Sequence, residues 1–239
     1  MSQINGHIGD SLLNLYTVGK LSGLTEVLFI ERCIRLLKPG GRLGIVLPEG
    51  VLNNTNLQTV RELFEGMAKI ILITSIPQDV FMASGATVKP SLLFFKKFTN
   101  EERAQFDAIK QAATEEVEAK YQSQLDEINS FLAERRNPAE EKKAKRAERR
   151  ALETKIAAKI WAIVKEKFDY TIPIAQVEKA GITTTGTECE NELIDLLKEF
   201  TPYRKEHNMW TSNELRFHYE VADNKMVRTD QNGNTKELC

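Results

Sequence analysis

The sequence predicts an α/β protein in which a small sheet is followed by a long antiparallel α-helical hairpin and a small mixed segment. Three zones of composition indicate this fold class. Residues 1–98 are apolar-rich and punctuated by glycine and proline, whereas residues 99–170 contain one proline, no glycine and abundant Glu, Lys, Arg and Ala. Residues 171–239 return to a mixed composition. We therefore expect three domains with these boundaries, the last ending in a tail that is a tight turn or frayed.

The first zone alternates helical and strand patterns. Residues 25–37 are predicted to form a helix, because apolar side chains recur at helical spacing and a Lys-Pro-Gly-Gly turn follows. Strands are predicted over 42–47, 69–76 and 88–95, with a second helix over 57–67. The predicted inner face of the first helix consists of Val27, Phe29, Ile30, Ile34 and Leu37.

This order of elements favours a parallel sheet with crossover helices, and it leaves open a closing hairpin formed by the last two strands. Pro90 interrupts the pattern of the third strand. It either places that strand at an edge of the sheet or marks the residue after which regular pairing begins, because proline has no N–H to donate.

The middle zone has the spacing of two long amphipathic helices. Apolar residues in its first half follow one another at steps of three or four, which predicts a narrow, coiled-coil-like stripe. The stripe consists of Phe106, Ile109, Ala113, Val117, Tyr121, Leu125, Ile128 and Leu132. Asn137-Pro138 separates it from a second stripe, so we expect an antiparallel hairpin. We interpret the first stripe as the seam of this hairpin; a surface for a partner helix is the alternative.

Composition and charge exclude several classes of protein. The chain has 239 residues with 33 basic and 34 acidic side chains, so its overall charge indicates neither nucleic acid nor membrane binding. It contains no run of about 18 apolar residues and no secretory signal at its beginning. Its three cysteines are scattered without metal-ligand spacing. We expect a cytoplasmic protein with no metal site.

A series of segments in the first zone resembles one enzyme family. The segments are LFIERCIRLLKPGGRLGIVLPEGVL within residues 26–52, VREL at 60–63, IILITSIPQDVF at 70–81, SGA at 84–86 and VKPSLLFFKK at 88–97. In this order they resemble the adenine-specific DNA methyltransferases of restriction–modification systems, and most closely the modification subunit of type I enzymes. The resemblance covers about residues 11–205 and implies the last strands of a Rossmann-like methyltransferase sheet.

The resemblance also implies S-adenosylmethionine as cofactor, DNA as substrate, and a specificity subunit or a fused recognition domain as partner. Two family motifs are absent from this sequence: the glycine-rich cofactor loop and the Asn/Asp-Pro-Pro-Phe/Tyr loop, since the sequence contains no Pro-Pro pair. We therefore expect the C-terminal portion of the catalytic domain, without catalytic or cofactor-binding residues of its own. A missing N-terminal part would supply cofactor binding and catalysis, and this chain alone would neither bind the cofactor nor transfer methyl groups.

Candidate nucleic-acid contacts lie in two regions. The resemblance places Phe81 beside an extruded base and Lys89 and Ser91 near the DNA strand; a core-facing phenylalanine and a solvated strand edge are the alternatives. The hairpin tip, residues 135–150, holds eight basic and three acidic side chains. It can bind phosphates or be simply solvated. Its basic residues are Arg135, Arg136, Lys142, Lys143, Lys145, Arg146, Arg149 and Arg150.

Two functions are consistent with these observations. The first is the C-terminal portion of a methyltransferase that contributes to the DNA and base cleft. The alternative is a non-catalytic docking module that binds DNA or a specificity subunit. In either case the strand at 42–47 lacks the neighbour that the resemblance implies, so we expect an open apolar edge and self-association through it.

Overall fold

The structure is a computed structural model that describes residues 13–134, 136–209, 217–222, 225–230 and 235–238. The helices are α1 (Thr25–Leu36), α2 (Gly50–Asn53), α3 (Gln58–Glu65), α4 (Asn100–Ala133), α5 (Ala139–Lys167) and α6 (Leu193–Glu206). The strands are β1 (Arg42–Pro48), β2 (Ala68–Ser75), β3 (Pro90–Lys97), β4 (Ile174–Gln176), β5 (Ala180–Ile182), β6 (Glu188–Asn191), β7 (Phe217–Ala222), β8 (Lys225–Asp230) and β9 (Thr235–Leu238). Short 3₁₀ helices span Val18–Lys20, Thr55–Leu57 and Gln78–Ser84.

The chain divides into two compact units. Among the described residues, those up to Ile76 and Val88–Gln176 form the first unit, and Pro77–Thr87 with the residues from Val177 onwards form the second. The prediction of a mixed α/β fold is confirmed. None of the described helices combines the length and apolar character needed to cross a bilayer.

The first unit contains a four-stranded sheet in the order β1-β3-β2-β4. β3 lies between β1 and β2 and is antiparallel to both, and the short strand β4 is parallel to β2. The prediction of a parallel sheet is therefore wrong for most of this sheet, whereas the closing β2–β3 hairpin is confirmed. The physical reason is that β1 and β2 run in the same direction with room for one strand between them. The β2–β3 hairpin places β3 in that space, so β3 is antiparallel to both neighbours.

Pro90 is the first residue of β3 and pairs with Pro48 of β1. Because β3 is a central strand, the edge position is excluded and pairing begins at the proline, two residues later than the predicted start. Proline has no backbone N–H to donate. Because Pro90 is at the end of the β1–β3 ladder, this missing donor interrupts no pairing in the middle of the sheet.

α1 and α3 cover one face of this sheet. Val27, Ile30 and Ile34 of α1 and Val60 and Phe64 of α3 are buried against it. From the strands the cluster includes Leu47, Leu93 and Phe95. The predicted inner face of α1 is confirmed at Val27, Ile30 and Ile34, whereas Leu37 lies just beyond the helix and is half-buried. The prediction is wrong at Phe29, which is 60% exposed. At 100° per residue Phe29 lies about 160° from Val27, so it points away from the core.

α4 and α5 form a long pair of helices, here called the helical arm (residues 100–167). Every member of the predicted α4 stripe is buried or half-buried, while most of the residues between them are exposed. Phe106 contacts Trp161 at a ring distance of 6.1 Å, and Lys155 Nζ lies 5.4 Å from the ring of Tyr121. Positions early in α4 thus meet positions late in α5, and the stripe packs against α5.

The root of the arm is an aromatic cluster. The rings of Phe98, Phe106 and Phe168 lie 5.3–5.4 Å apart, two of the three pairs edge to face. Such aromatic pairs add about 0.5–1.5 kcal/mol each beyond the area that they bury. Tyr170 continues this cluster, and its Oη accepts a hydrogen bond of 3.1 Å from the Ile70 N–H. The cluster fixes both ends of the arm to the sheet.

Glu102 joins the first turn of α4 to two strands. Its carboxylate accepts a hydrogen bond of 2.9 Å from the Thr99 N–H, and the Thr99 hydroxyl accepts one of 3.1 Å from the Glu102 N–H, which completes a capping box. Glu102 Oε1 also lies 2.9 Å from Lys69 Nζ of β2 and 3.2 Å from Lys96 Nζ of β3.

The second unit contains a small hairpin, a helix and a three-stranded sheet. β5 and β6 are antiparallel, and Gly181 and Gly186 adopt φ values of 86° and 83° in this hairpin. β7, β8 and β9 pair in antiparallel order, so the polar stretch for which a tight turn or a frayed end is predicted includes two strands. Asn232-Gly233, the predicted tight turn, lies outside the described residues.

Candidate nucleic-acid interface

Lys89 lies at the edge of the sheet where β1 and β2 end and β3 begins. Open α/β sheets bind ligands outside the carboxyl ends of their parallel strands. Lys89 Nζ lies 3.3 Å from Glu49 Oε2, and the Glu49 N–H donates a hydrogen bond of 3.0 Å to the Lys89 carbonyl oxygen. Both side chains are at least one third exposed, so the ion pair contributes little stability. The Lys89 ammonium group is accessible to a phosphate.

Ser91 lies within β3, opposite Leu47 of β1 and Ser75 of β2. Its side chain is only 2% exposed. β1 and β2 therefore flank Ser91 on both sides, and its surface is almost entirely covered. A direct contact between Ser91 and DNA would therefore require this edge of the sheet to open.

Phe81 lies in the 3₁₀ helix of the second unit and is half-buried. Its carbonyl oxygen accepts hydrogen bonds from the Ser84 hydroxyl at 2.8 Å and from the Ala86 N–H at 3.0 Å. Gly85 closes this turn with a φ of 84°. The neighbouring Met82 is 42% exposed, so the turn presents an apolar surface that can contact a base.

The basic residues at the tip of the arm divide into paired and unpaired cations. Lys145 Nζ lies 2.9 Å from Glu148, and Arg149 Nε lies 2.8 Å from Glu153. The Glu148 carboxylate holds the pKa of Lys145 above its ordinary value. Among the described residues, no carboxylate lies within ion-pair distance of the remaining predicted cations. These are Arg136, Lys142, Lys143, Arg146 and Arg150; Arg135 lies outside the described residues.

Three of the unpaired cations form one row on α5. Lys143, Arg146 and Arg150 are spaced by three and four residues and are all exposed. Residues at this spacing share a helix face, and the row extends for about 10 Å along the axis. Lys142 and Lys145 are half-buried towards the seam instead. We call Lys143, Arg146 and Arg150 the basic row.

The two helices of the arm carry opposite charge. α4 contains eight acidic and three basic residues, a net charge of −5, whereas α5 contains ten basic and five acidic residues, a net charge of +5. An anion such as DNA is therefore attracted to the α5 side and repelled from the α4 side. The overall charge of the chain conceals this asymmetry.

Within the first unit, the structure places Lys89 and the tip of the arm far apart. Lys89 precedes β3 and the arm follows it, so about 26 Å of strand separates Lys89 from the root of the arm. Phe81 belongs to the second unit, whereas Lys89, Ser91 and the arm belong to the first. Among the described residues of the first unit, no hydrogen bond or ion pair connects Lys89 or Ser91 with the tip of the arm.

Sequence reasoning overlooks a buried carboxylate on α1. Glu31 has no exposed surface, and its two oxygens accept hydrogen bonds from the N–H groups of Thr17 at 2.9 Å and Val18 at 2.8 Å. Arg35 pairs with the same carboxylate and donates hydrogen bonds to the Leu15 carbonyl oxygen and the Thr17 hydroxyl. Glu31 comes directly after Ile30 and three residues before Ile34, and both isoleucines are buried. A glutamate placed between two predicted core residues is the sequence signal that could have revealed its burial.

The comparison with protein families decides the classification. The model of the N-6 DNA methylase family matches residues 22–144, which is just over half of the chain. The chain belongs to the N-6 DNA methylase family. The sequence resemblance to adenine-specific DNA methyltransferases is thereby confirmed. The match begins just before α1 and ends within α5, so it includes β1, β2, β3 and all of α4.

Among solved structures, this N-6 DNA methylase chain is similar to two proteins of larger size. One is described as a class I S-adenosylmethionine-dependent methyltransferase of Listeria monocytogenes, with 24% identity and a TM-score of 0.34 over 38% of this chain and 28% of that one. The other comes from a type I restriction–modification system, with 28% identity and a TM-score of 0.34 over 40% of this chain and 19% of that one. This chain thus spans less than a third of either. No curated protein matches it.

The Gly40-Gly41 turn of this N-6 DNA methylase chain does not fit the glycine-rich loop of an S-adenosylmethionine site. Gly40 and Gly41 form the turn before β1, at the opposite end of the strand from the ligand-binding edge. The Gly40 N–H donates to the carbonyl oxygens of Lys97 and Phe98, so it is not available to a cofactor. Among the described residues, no three His, Cys, Asp or Glu side chains cluster as ligands for a metal ion.

Proposed function

We propose that this chain is the C-terminal portion of an S-adenosylmethionine-dependent, adenine-specific DNA methyltransferase of a restriction–modification system. One observation carries the proposal: the N-6 DNA methylase match falls on a segment whose sequence contains neither the glycine-rich cofactor loop nor the Asn/Asp-Pro-Pro-Phe/Tyr loop. The N-terminal part of the intact enzyme binds the cofactor and carries the catalytic loop. This chain alone binds no cofactor and transfers no methyl group.

In the intact enzyme the chain contributes to the DNA cleft. Exposed Lys89 contacts a phosphate at the carboxyl edge of the sheet, and the turn at Phe81 forms a wall of the pocket for the extruded base. The arm, a coiled-coil-like antiparallel hairpin, presents its basic row to the DNA backbone. The charge asymmetry of the arm supports this orientation, because only its α5 side attracts an anion.

Selection of a DNA sequence belongs to a specificity subunit or a fused recognition domain. The contacts assigned to this chain are to phosphates and to one extruded base, and phosphate contacts position a protein without selecting a sequence. The whole enzyme therefore needs a partner that reads base edges in the major groove.

A complementation assay tests this function. The probe is an N-terminal fragment of a family methyltransferase that carries both missing loops and ends where residue 11 of this chain begins; we call it the complementary fragment. Transfer of tritiated methyl groups from S-adenosylmethionine to unmethylated DNA is measured for each polypeptide alone and for the mixture. We expect transfer only in the mixture, and none when the Asn of the Asn-Pro-Pro loop in the fragment is replaced by alanine.

The alternative function, a non-catalytic docking module for DNA or a specificity subunit, predicts a different result. In that case the complementary fragment binds to this chain and no methyl group is transferred. Restored transfer would exclude the docking module as the sole function. Binding without transfer, with a fragment that is active in its own full-length enzyme, would overturn the proposed function.

A further inference from the structure

Glu49 and Lys89 are neighbours at the ends of two paired strands. Pro48 of β1 and Pro90 of β3 form the last pair of the β1–β3 ladder. Glu49 follows Pro48 and Lys89 precedes Pro90, so both residues lie one step beyond this pair, at the carboxyl end of β1. A proline ring fixes its own φ near −65° and also restricts the residue before it. The two prolines thus bring one negative and one positive side chain together.

The backbone of Glu49 is held from two sides. Its N–H donates the hydrogen bond of 3.0 Å to the Lys89 carbonyl oxygen, which joins it to the start of β3. Its own carbonyl oxygen accepts hydrogen bonds from the N–H groups of Leu52 at 2.9 Å and Asn53 at 3.2 Å, both in α2. Because this backbone is fixed, the Glu49 carboxylate moves only by rotation of its side chain and stays close to the Lys89 ammonium group.

The ion pair between these two residues is exposed and isolated. Glu49 Oε2 lies 3.3 Å from Lys89 Nζ, and the two side chains are 36% and 45% exposed. Among the described residues, no other carboxylate lies within ion-pair distance of Lys89, and no other lysine or arginine lies within that distance of Glu49. Exposed ion pairs are weak because water screens both charges. A phosphate can therefore displace the carboxylate from the lysine.

A phosphate that binds Lys89 has to compete with Glu49. Duplex DNA carries one negative charge for about every 1.7 Å of its axis, so DNA that approaches the ammonium group also brings its charge towards the carboxylate. The two anions repel each other, and the lysine loses its first partner when it gains the second. The net gain from the phosphate contact is therefore smaller than it would be with an uncharged residue at position 49.

From this geometry we propose that Glu49 competes with the DNA phosphate for Lys89 and so limits the affinity of this edge of the sheet for DNA. Phosphate contacts hold a protein on any sequence, because they carry no base information. A carboxylate that weakens such a contact lowers binding to DNA without a target and leaves the contacts that read bases unchanged. The inference rests on the proposed function, in which Lys89 contacts a phosphate, and adds the residue that sets the strength of this contact.

A double-mutant cycle tests the competition. Four forms of the full chain are compared in a mixture with the complementary fragment: the unchanged chain, Glu49→Gln, Lys89→Gln and the double variant. Fluorescence anisotropy with a labelled 30-base-pair duplex of arbitrary sequence gives the dissociation constants. We expect Glu49→Gln to tighten binding about 3- to 5-fold when Lys89 is present, and by less than about 1.5-fold when it is replaced. Glutamine has nearly the same size as glutamate, so the substitution removes the charge and retains the backbone hydrogen bonds.

Salt dependence provides a second measurement that a merely structural role of Glu49 would not change. Without the carboxylate, Lys89 releases a DNA counterion on binding without giving up an internal partner. We therefore expect the slope of log K against log salt to become steeper by about 0.5–0.9 in Glu49→Gln.

Glu65→Gln is the matched control for the loss of one carboxylate. Glu65 lies 3.1 Å from Lys165, with side chains that are 26% and 50% exposed, and this pair joins the end of α3 to the arm instead of lying at the carboxyl edge of β1. We expect this variant to bind DNA within about 1.5-fold of the unchanged chain. Far-UV circular dichroism shows that each variant remains folded.

Each outcome has one meaning. Tighter binding of Glu49→Gln only when Lys89 is present supports the inference. An equal gain with and without Lys89 means that only the overall charge matters, and unchanged or weaker binding means that Glu49 does not compete; either result overturns the inference. It is also overturned if Lys89→Gln binds DNA as well as the unchanged chain. In all these cases restored methyl transfer leaves the methyltransferase assignment intact. A mixture that neither binds DNA nor transfers methyl groups contradicts the proposed function, and the inference with it.

Discussion

At the scale of single residues, Glu102 is the side chain on which the attachment of the arm depends most. It caps α4 and forms ion pairs with one lysine of β2 and one of β3. Burial by itself would raise the pKa of Glu102, but the Thr99 N–H, Lys69 and Lys96 outweigh it and hold the pKa below its ordinary value. The folded state therefore favours the ionised carboxylate.

Replacement of Glu102 by glutamine should lower the free energy of unfolding by about 1–2 kcal/mol at pH 7, because the ion pairs are lost and the capping bond weakens. The carboxylate stabilises the fold fully above the pKa of the unfolded chain, near 4.3, and this contribution disappears as the pH falls through the lower pKa of the folded state. The difference between the two proteins should therefore shrink below about pH 4. Urea unfolding followed by circular dichroism at pH 7 and pH 3.5 measures it.

Glu118→Gln is the control for this substitution. Glu118 is exposed on the same helix, and no lysine or arginine among the described residues lies within ion-pair distance of it. We expect its replacement to change the unfolding free energy by less than about 0.5 kcal/mol at either pH. An equal effect of both substitutions would mean that the arm does not depend on the bonds of Glu102.

Two residues of α1 show where a sequence pattern is insufficient. Phe29 and Glu31 are separated by one position, and the pattern predicts the phenylalanine inside and says nothing of the glutamate. In the structure Phe29 is largely exposed and Glu31 is completely buried. Hydrophobicity alone places Phe29 incorrectly and does not identify Glu31, because the buried glutamate obtains its partners from residues 15–18, which periodicity within the helix cannot reveal.

At the scale of secondary-structure elements, local spacing predicts most of the first unit. α1, β1 and β2 begin and end within one residue of their predicted bounds, since each is bounded by glycine, proline or a change of period. The pairing of β3 is different. β3 lies antiparallel between β1 and β2 because the position between these two strands is unoccupied. Which positions are unoccupied depends on the whole sheet, so the sequence of β3 alone does not predict its pairing.

The period of the α4 stripe describes how the arm packs. The seven steps from Phe106 to Leu132 span 26 residues, or about 3.7 residues per step. This value is closer to the 3.67 of an 11-residue repeat than to the 3.5 of a heptad, so the stripe does not require a left-handed supercoil. The arm therefore has an apolar seam between its two helices and opposite net charges on α4 and α5.

The basic row gives the arm a testable role. Replacing Lys143, Arg146 and Arg150 by glutamine should weaken binding to duplex DNA, and the slope of log K against log salt should decrease in magnitude by about 2–3, because each phosphate contact releases about 0.9 counterion. Fluorescence anisotropy with a labelled 30-base-pair duplex between 50 and 200 mM NaCl measures both quantities. Far-UV circular dichroism shows whether the helix is retained.

The paired cations of the same tip provide the control. Lys145 and Arg149 already contact Glu148 and Glu153. Their replacement by glutamine should change the salt slope by less than about 1 if the row alone binds phosphates. If both variants lose the same affinity per removed charge, the tip acts through its overall charge and the row has no special role.

At the scale of the whole molecule, the candidate site was accessible only in part from the sequence. The basic tip follows from composition, whereas Phe81, Lys89 and Ser91 follow from the family resemblance. The sequence does not reveal that Ser91 is enclosed between two strands or that Phe81 belongs to a different unit from Lys89. Both facts depend on tertiary contacts between segments that are distant in the chain, and no local pattern encodes them.

Among the described residues no strand pairs with the outer edge of β1, and this open edge predicts the behaviour of the isolated chain. Without a partner strand, the edges of two copies can pair through residues 42–47, because Arg42 is the only charged residue in this strand and its single proline is at the far end. Sedimentation velocity should show a monomer–dimer equilibrium that shifts towards dimer as the concentration rises. Val46→Lys, which places a charge on the exposed face of the edge strand, should shift it towards monomer, whereas Ile174→Lys on β4 should not. A chain that remains monomeric at high concentration would contradict this prediction.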